Sequence, residues 1–128
     1  MDLLHVALPA SSEERADGFY VGVLGLTKAE PKVLAAELSR ALFGIDRALT
    51  VINYTGEAAH FEVFVTGALP EPPPRVDHAC IAVESLGEFL RKCDEARVEV
   101  LRIPKGERLL TFIRDPDGNL FEVKEKPA

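Results

Sequence analysis

The sequence predicts an α+β fold built from two tandem modules, each with the element order β-α-β-β-β. Three observations lead to this prediction. A proline-rich segment divides the chain near its middle, the same series of strand-like and helix-like segments occurs on both sides of it, and each side contains one His and one Glu at corresponding places. The length of 128 residues and the 47% of hydrophobic residues suit a single domain with a substantial core.

The first module is predicted to span residues 1–67. It begins with a short apolar strand at 3–8, and the following SSEERADGFYVGVLGL combines a Ser N-cap signal with apolar residues at helical spacing. Two runs rich in β-branched and aromatic residues, 47–54 and 60–65, predict strands. An additional helix is expected at about 31–45, because Leu and Ala recur there every three or four positions.

The second module is predicted over residues 76–126, after the proline-rich connector 68–75. A strand at 76–83 is followed by ESLGEFLRKCDEARV, whose apolar residues share one helical face, and Cys93 on that face is expected in the core. Three further strands are expected, at 98–103, 108–114 and 119–123. The sequence Asp-Pro-Asp-Gly before the last strand predicts a tight turn, so the last two strands form a hairpin.

Each predicted module contains a His in its first strand and a Glu in its last, namely His5 with Glu62 and His78 with Glu122. The members of the first pair are 57 positions apart and those of the second are 44 apart. The difference of 13 is close to the length of the additional helix, which has no counterpart in the second half. The helix at 31–45 is therefore interpreted as an insertion, and its removal brings the two halves into register.

Charge and hydropathy exclude several classes of partner. The net charge is −6 and no segment concentrates Lys and Arg, so nucleic acid is not expected. No window approaches the roughly 18 apolar residues of a membrane span, and the first residues do not resemble a secretory leader. A cytoplasmic protein is expected. Its two cysteines, Cys80 and Cys93, are too few for a disulfide framework and are interpreted as reduced thiols.

The two His-Glu pairs are the candidate chemical site. A carboxylate between apolar strand positions is costly to desolvate unless a cation or a set of hydrogen bonds compensates. Two imidazoles and two carboxylates form a mixed nitrogen and oxygen ligand set that suits Zn, Ni, Co, Mn or Fe(II) without distinguishing among them. Taken singly, a strand His is more often a hydrogen-bonded core or cleft residue than a ligand. His60 shares the face of Glu62, but it is interpreted as an exposed residue at the start of a strand.

The His5 strand, FYVGVLGL, VDHACIAV and RDPDGNLFEV together resemble the vicinal oxygen chelate superfamily, which includes glyoxalases, bleomycin resistance proteins and extradiol dioxygenases. The resemblance covers nearly the whole chain, and DPDGN-x-x-E is its most specific element. It implies paired modules whose curled mixed sheets form a metal-centred cleft, and it implies a homodimer.

Within that superfamily, one His and one Glu from each module are most similar to the ligand set of glyoxalase I. The resemblance thus implies that His5, Glu62, His78 and Glu122 bind the metal. It further implies a lyase or isomerase that acts on a small-molecule substrate through an enediolate, with Glu122 as the first candidate for the catalytic base and Glu62 as the second. Other metal-dependent chemistry of the superfamily (epimerase, dioxygenase or thiol transferase) and a metal-free drug-sequestering protein are the alternatives.

Overall fold

The computed structural model describes residues 2–70 and 76–128. The chain forms two compact units, Met1–Glu71 and Pro72–Ala128. Residues 71–75 of the predicted connector lie outside the described residues. Each unit contains one mixed sheet and few helices, and the predicted α+β fold of two such modules is confirmed.

The first unit contains five strands in one sheet: β1 (Val6–Ala10), β2 (Thr27–Lys28), β3 (Lys32–Leu34), β4 (Leu49–Thr55) and β5 (His60–Val65). The strand order is β1-β5-β4-β2, and β3 also pairs with β4. β1 runs parallel to β5, and the other pairs are antiparallel. Helix α1 (Glu13–Ala16) continues into a π-helical turn (Asp17–Val21). The hydroxyl of Ser12 accepts a hydrogen bond from the Arg15 amide and caps α1, as the sequence indicates.

The inserted helix is shorter than predicted. Helix α2 spans Ala36–Phe43, and the first part of the predicted range 31–45 is instead the short strand β3. The residues of β3 pair with 49–51 of β4, so hydrogen bonding to a neighbouring strand outweighs local helix propensity there. On α2 itself Leu38 and Leu42 are exposed, whereas Ser39 is buried.

The second unit contains β6 (Ala79–Val83), α3 (Leu86–Glu95), β7 (Glu99–Lys105), β8 (Arg108–Arg114) and β9 (Leu120–Glu125). Its sheet has the order β6-β9-β8-β7, in which β6 and β9 are parallel. Cys93 on α3 is fully buried, which confirms its predicted core position.

Most of the buried strand residues in each unit lie on one side of its sheet. In the first unit Tyr54 of β4 is fully buried and stacks on Tyr20, with ring centroids 5.0 Å apart. In the second unit Ile113 and Phe121 are fully buried and occupy paired positions on β8 and β9. Because side chains alternate along a strand, the neighbours of these residues in sequence point to the other face. That other face carries the candidate chemical residues. No helix in the described part of the chain is long and apolar enough to cross a membrane.

Candidate functional site

His5 and Glu62 lie close together in the first unit. His5 directly precedes β1 instead of lying within it, which corrects its predicted place in the first strand. Glu62 is on β5, opposite Ala7 of β1. The distance from His5 Nε2 to Glu62 Oε1 is 3.9 Å, and the two side chains are 41% and 27% exposed. Both side chains are thus accessible to a ligand and are not buried in the core.

His60 belongs to the same cluster. It begins β5 as predicted, but its interpretation as an exposed residue is wrong. It is only partly exposed, and its ring centroid lies 5.4 Å from that of His5. Its Nε2 is 2.6 Å from Oδ1 of Asn53, the residue opposite Glu62 on β4. An amide oxygen can only accept, so Nε2 of His60 carries the proton in this hydrogen bond. Asn53 was not recognised from the sequence, because only the register of β4 against β5 shows that it neighbours Glu62.

His78 directly precedes β6 in the second unit, so its predicted place within the first strand is also corrected. Its Nδ1 donates a hydrogen bond to the carbonyl oxygen of Val76, at 2.8 Å. With the proton on Nδ1, the lone pair of Nε2 is available to bind an ion. Metal-binding histidines commonly use this tautomer. The His78 ring also contacts Phe112 edge to face, with centroids 5.8 Å apart.

Glu122 lies on β9, directly opposite Cys80 of β6. Its side chain is only 18% exposed, and Lys124 Nζ lies 3.7 Å from Oε1. Burial raises the pKa of the Cys80 thiol, and the negative charge of Glu122 raises it further, with an additional contribution from the hydrogen bond between the two side chains. Cys80 is nevertheless exposed as a residue, so it does not fill the core.

The two His-Glu pairs have the same register. Glu62 pairs with the residue two positions after His5, and Glu122 pairs with the residue two positions after His78. The strand on the other side of each Glu is antiparallel in both units. The internal repeat inferred from the spacing of these residues therefore also appears in the backbone pairing of the two units.

The distance between the two donor atoms of the first unit is short enough for both to reach one divalent ion. Two atoms that each lie about 2.1 Å from one ion can be at most about 4.2 Å apart. The 3.9 Å between His5 Nε2 and Glu62 Oε1 satisfies this condition. Within residues 2–70 and 76–128, however, no group of three or more His, Cys, Asp or Glu side chains is arranged to hold a metal ion. Each unit by itself thus contains a pair of candidate ligand residues and not a complete ligand set.

A sequence model of the Glyoxalase/Bleomycin resistance protein/Dioxygenase superfamily matches residues 2–123. The chain belongs to this superfamily. The match includes both His-Glu pairs and the Asp-Pro-Asp-Gly turn, and it confirms the family resemblance found in the sequence. No curated protein matches the chain.

Solved structures of superfamily proteins have the same fold. A glyoxalase family protein from Enterococcus faecalis is 21% identical with a TM-score of 0.75, over 95% of each chain. The fosfomycin resistance protein FosX from Listeria monocytogenes is 14% identical with a TM-score of 0.71, over 99% of this chain and 94% of that one. The trypanothione-dependent glyoxalase I from Leishmania major is 17% identical with a TM-score of 0.68, over 98% of this chain and 86% of that one. At these identities the likeness concerns the fold.

Proposed function

We propose that the chain is a divalent-metal-dependent lyase or isomerase of the glyoxalase type, acting on a small substrate with oxygens on adjacent carbons. The observation that carries the proposal is the His-Glu pair that recurs in the same register in both units. Membership of the superfamily supports it. A homodimer and a cytoplasmic location are further predictions of the same proposal.

His5, Glu62, His78 and Glu122 would hold the metal ion. When bound, the ion would act as a Lewis acid that stabilises negative charge on the substrate oxygens. The proposed ligands include two imidazoles, and the tautomer of His78 already presents its Nε2 lone pair. The ligand chemistry suits Zn, Ni, Co, Mn or Fe(II).

Glu122 is the first candidate for the base that moves a proton between adjacent substrate carbons. Its carboxylate is mostly shielded from solvent, so bulk water competes weakly for the transferred proton. The ammonium group of Lys124 and the thiol of Cys80 restrict its orientation. Glu62 is the second candidate, and its side chain is more exposed, at 27%. The same carboxyl group would take the proton from one carbon and return it to the other, so the reaction needs no further acid.

The decisive experiment measures metal binding before activity. Metal-free protein is titrated with each of the five ions, and the bound metal is determined by elemental analysis for the wild type, His5→Ala and Glu122→Gln. Both variants should bind substantially less metal. Glu57→Gln is the matched control, because Glu57 is an exposed loop carboxylate. A wild-type protein that binds no ion under these conditions contradicts the proposal and favours a metal-free binding protein.

Activity is then tested with methylglyoxal combined with several thiols. Loss of a general base typically costs a factor of about 10² to 10⁴ in rate, so Glu122→Gln should lower kcat by at least about 10². Glu57→Gln should leave it unchanged. A metal-loaded protein that isomerises none of these adducts would exclude the glyoxalase reaction and indicate another metal-dependent chemistry of the superfamily.

A further inference from the structure

The surroundings of the two His-Glu pairs differ at two equivalent positions. Opposite the Glu on the central antiparallel strand, the first unit has Asn53 and the second has Phe112. Two positions before the Glu, the first unit has His60 and the second has Leu120. In each unit one of these two positions supplies a ring beside the imidazole. In the first unit it is the position two before the Glu, and in the second it is the position opposite the Glu.

In the second unit the ring comes from the strand opposite Glu122. Phe112 contacts His78 edge to face at 5.8 Å, and the Val76 carbonyl accepts the hydrogen bond from Nδ1. An aromatic contact and a hydrogen bond thus fix both the position and the tautomer of His78. Leu120 offers no ring and no hydrogen bond to the imidazole.

In the first unit Asn53 is too short and has no ring to pack against His5. The ring is supplied by His60, which lies beside His5 because Val6 and Phe61, the next residues, are paired across β1 and β5. The 2.6 Å hydrogen bond to Asn53 holds His60 in place. His5 needs such support, since it precedes β1 and its side chain is 41% exposed.

We propose that Asn53 and His60 together position the imidazole of His5, the task that Phe112 performs for His78. His60 is a positioning residue, and Asn53 acts through it. The consequence for metal binding rests on the proposed function, whereas the ordering of His5 in the metal-free protein does not. Loss of a group that orients a metal-binding His commonly weakens metal binding about 10- to 100-fold.

The test exchanges the residues of one unit for those of the other. His60→Leu copies Leu120 into the first unit and removes the ring. Asn53→Ala keeps the ring but releases it. The double variant Asn53→Phe with His60→Leu recreates the second unit's arrangement, so it should restore a ring beside His5.

The first readout is the proton NMR spectrum of the imidazoles in metal-free protein at about pH 8. The chain has three histidines, so His60→Leu leaves only the signals of His5 and His78. We expect the His5 signals to move towards those of an unrestrained imidazole in both single variants and to regain a ring-current shift in the double variant. The His78 signals should stay in place throughout and serve as the internal control.

The second readout is the dissociation constant for Zn or Ni. It should rise about 10- to 100-fold in His60→Leu and return to within about threefold of the wild type in the double variant. Unchanged His5 signals in both single variants, or a double variant that resembles His60→Leu, would overturn the proposal. If the wild type binds no metal while the His5 signals move as expected, the proposed function fails and the positioning role stands. Should His60→Leu not fold, Asn53→Ala decides the question by the same signals.

Discussion

Asp115 begins the turn that leads into β9, and its replacement provides a quantitative test of the structure. The residue is only 5% exposed. Its Oδ1 accepts hydrogen bonds from the backbone amides of Asp117 and Asn119, at 3.0 and 2.8 Å, and its Oδ2 accepts one from the Asn119 side chain at 2.7 Å. One carboxylate thus closes the turn with three hydrogen bonds. Gly118 completes it at φ +87°, a conformation that other residues rarely adopt.

Asp115→Ala should destabilise the protein by about 3 kcal/mol. A typical hydrogen bond contributes about 1 kcal/mol net to stability, and three are lost together. Bonds to a charged group are stronger, but Asp117 and Asn119 are not fully buried, so their freed donors can bind water. For a chain of this size, about 3 kcal/mol corresponds to a fall in Tm of about 10 °C.

The assay is urea unfolding followed by circular dichroism, with Asp117→Ala as the matched control. Asp117 lies in the same turn, and its side chain is exposed, so its removal should change stability by no more than about 0.5 kcal/mol. Asp115→Asn should fall between the two, because it keeps an acceptor at Oδ1 but turns a donor towards the Asn119 amide. Equal stability of Asp115→Ala and Asp117→Ala would refute the role of this carboxylate.

Two further predictions concern stability. Gly22→Ala should be strongly destabilising, because the new Cβ would lie 2.3 Å from the carbonyl oxygen of Gly18. The Cβ of Gly18→Ala meets nothing within 4 Å, so this control should be neutral or stabilising. Thermal unfolding compares the two variants, and equal Tm values would contradict the prediction. Burial raises the pKa of Cys93 to about 11 from its usual 9.0. The contribution of the neutral thiol to the free energy of unfolding is therefore complete below pH 9 and is lost as the pH rises to 11. Burial also raises the pKa of Tyr54, which extends the loss above pH 10. Urea unfolding from pH 8 to 11 under reducing conditions should show this decline, with a smaller slope for Cys93→Ala. A flat profile for the wild type would disprove it.

The parts of the fold that the sequence predicts best are those with a strong local pattern. Runs of alternating residues identify β5 and β9, and the apolar stripe of α3 identifies Cys93 as a core residue. The helix predicted over 31–45 is too long, because the pairing of β3 with β4 is a tertiary effect that local propensity does not contain.

The residues of the candidate site likewise divide into those that a sequence pattern identifies and those that only the pairing of strands brings together. His5, Glu62, His78 and Glu122 stand out because their spacing repeats once an insertion is allowed for. The register that the two units share supports the predicted repeat, and the binding of one ion by all four residues stays a prediction. Asn53 and the true surroundings of His60 depend on how β4 pairs with β5, which no motif within either strand encodes.

The position of the insertion explains how the first unit tolerates it. Helix α2 lies between β3 and β4, where the second unit has only the short turn between β7 and β8, so the insertion interrupts no strand. At the outer position of the sheet the short strands β2 and β3, separated by residues 29–31, take the place of the continuous seven-residue β7. An outer strand bonds to one neighbour only, so the break at 29–31 loses fewer hydrogen bonds than a break in β5, which carries Glu62 and has a neighbour on each side. Two such short strands are also poor templates for pairing with another chain, which lowers the tendency of this edge to aggregate. Extra sequence grafted between β3 and β4 should therefore be accepted with little loss of solubility.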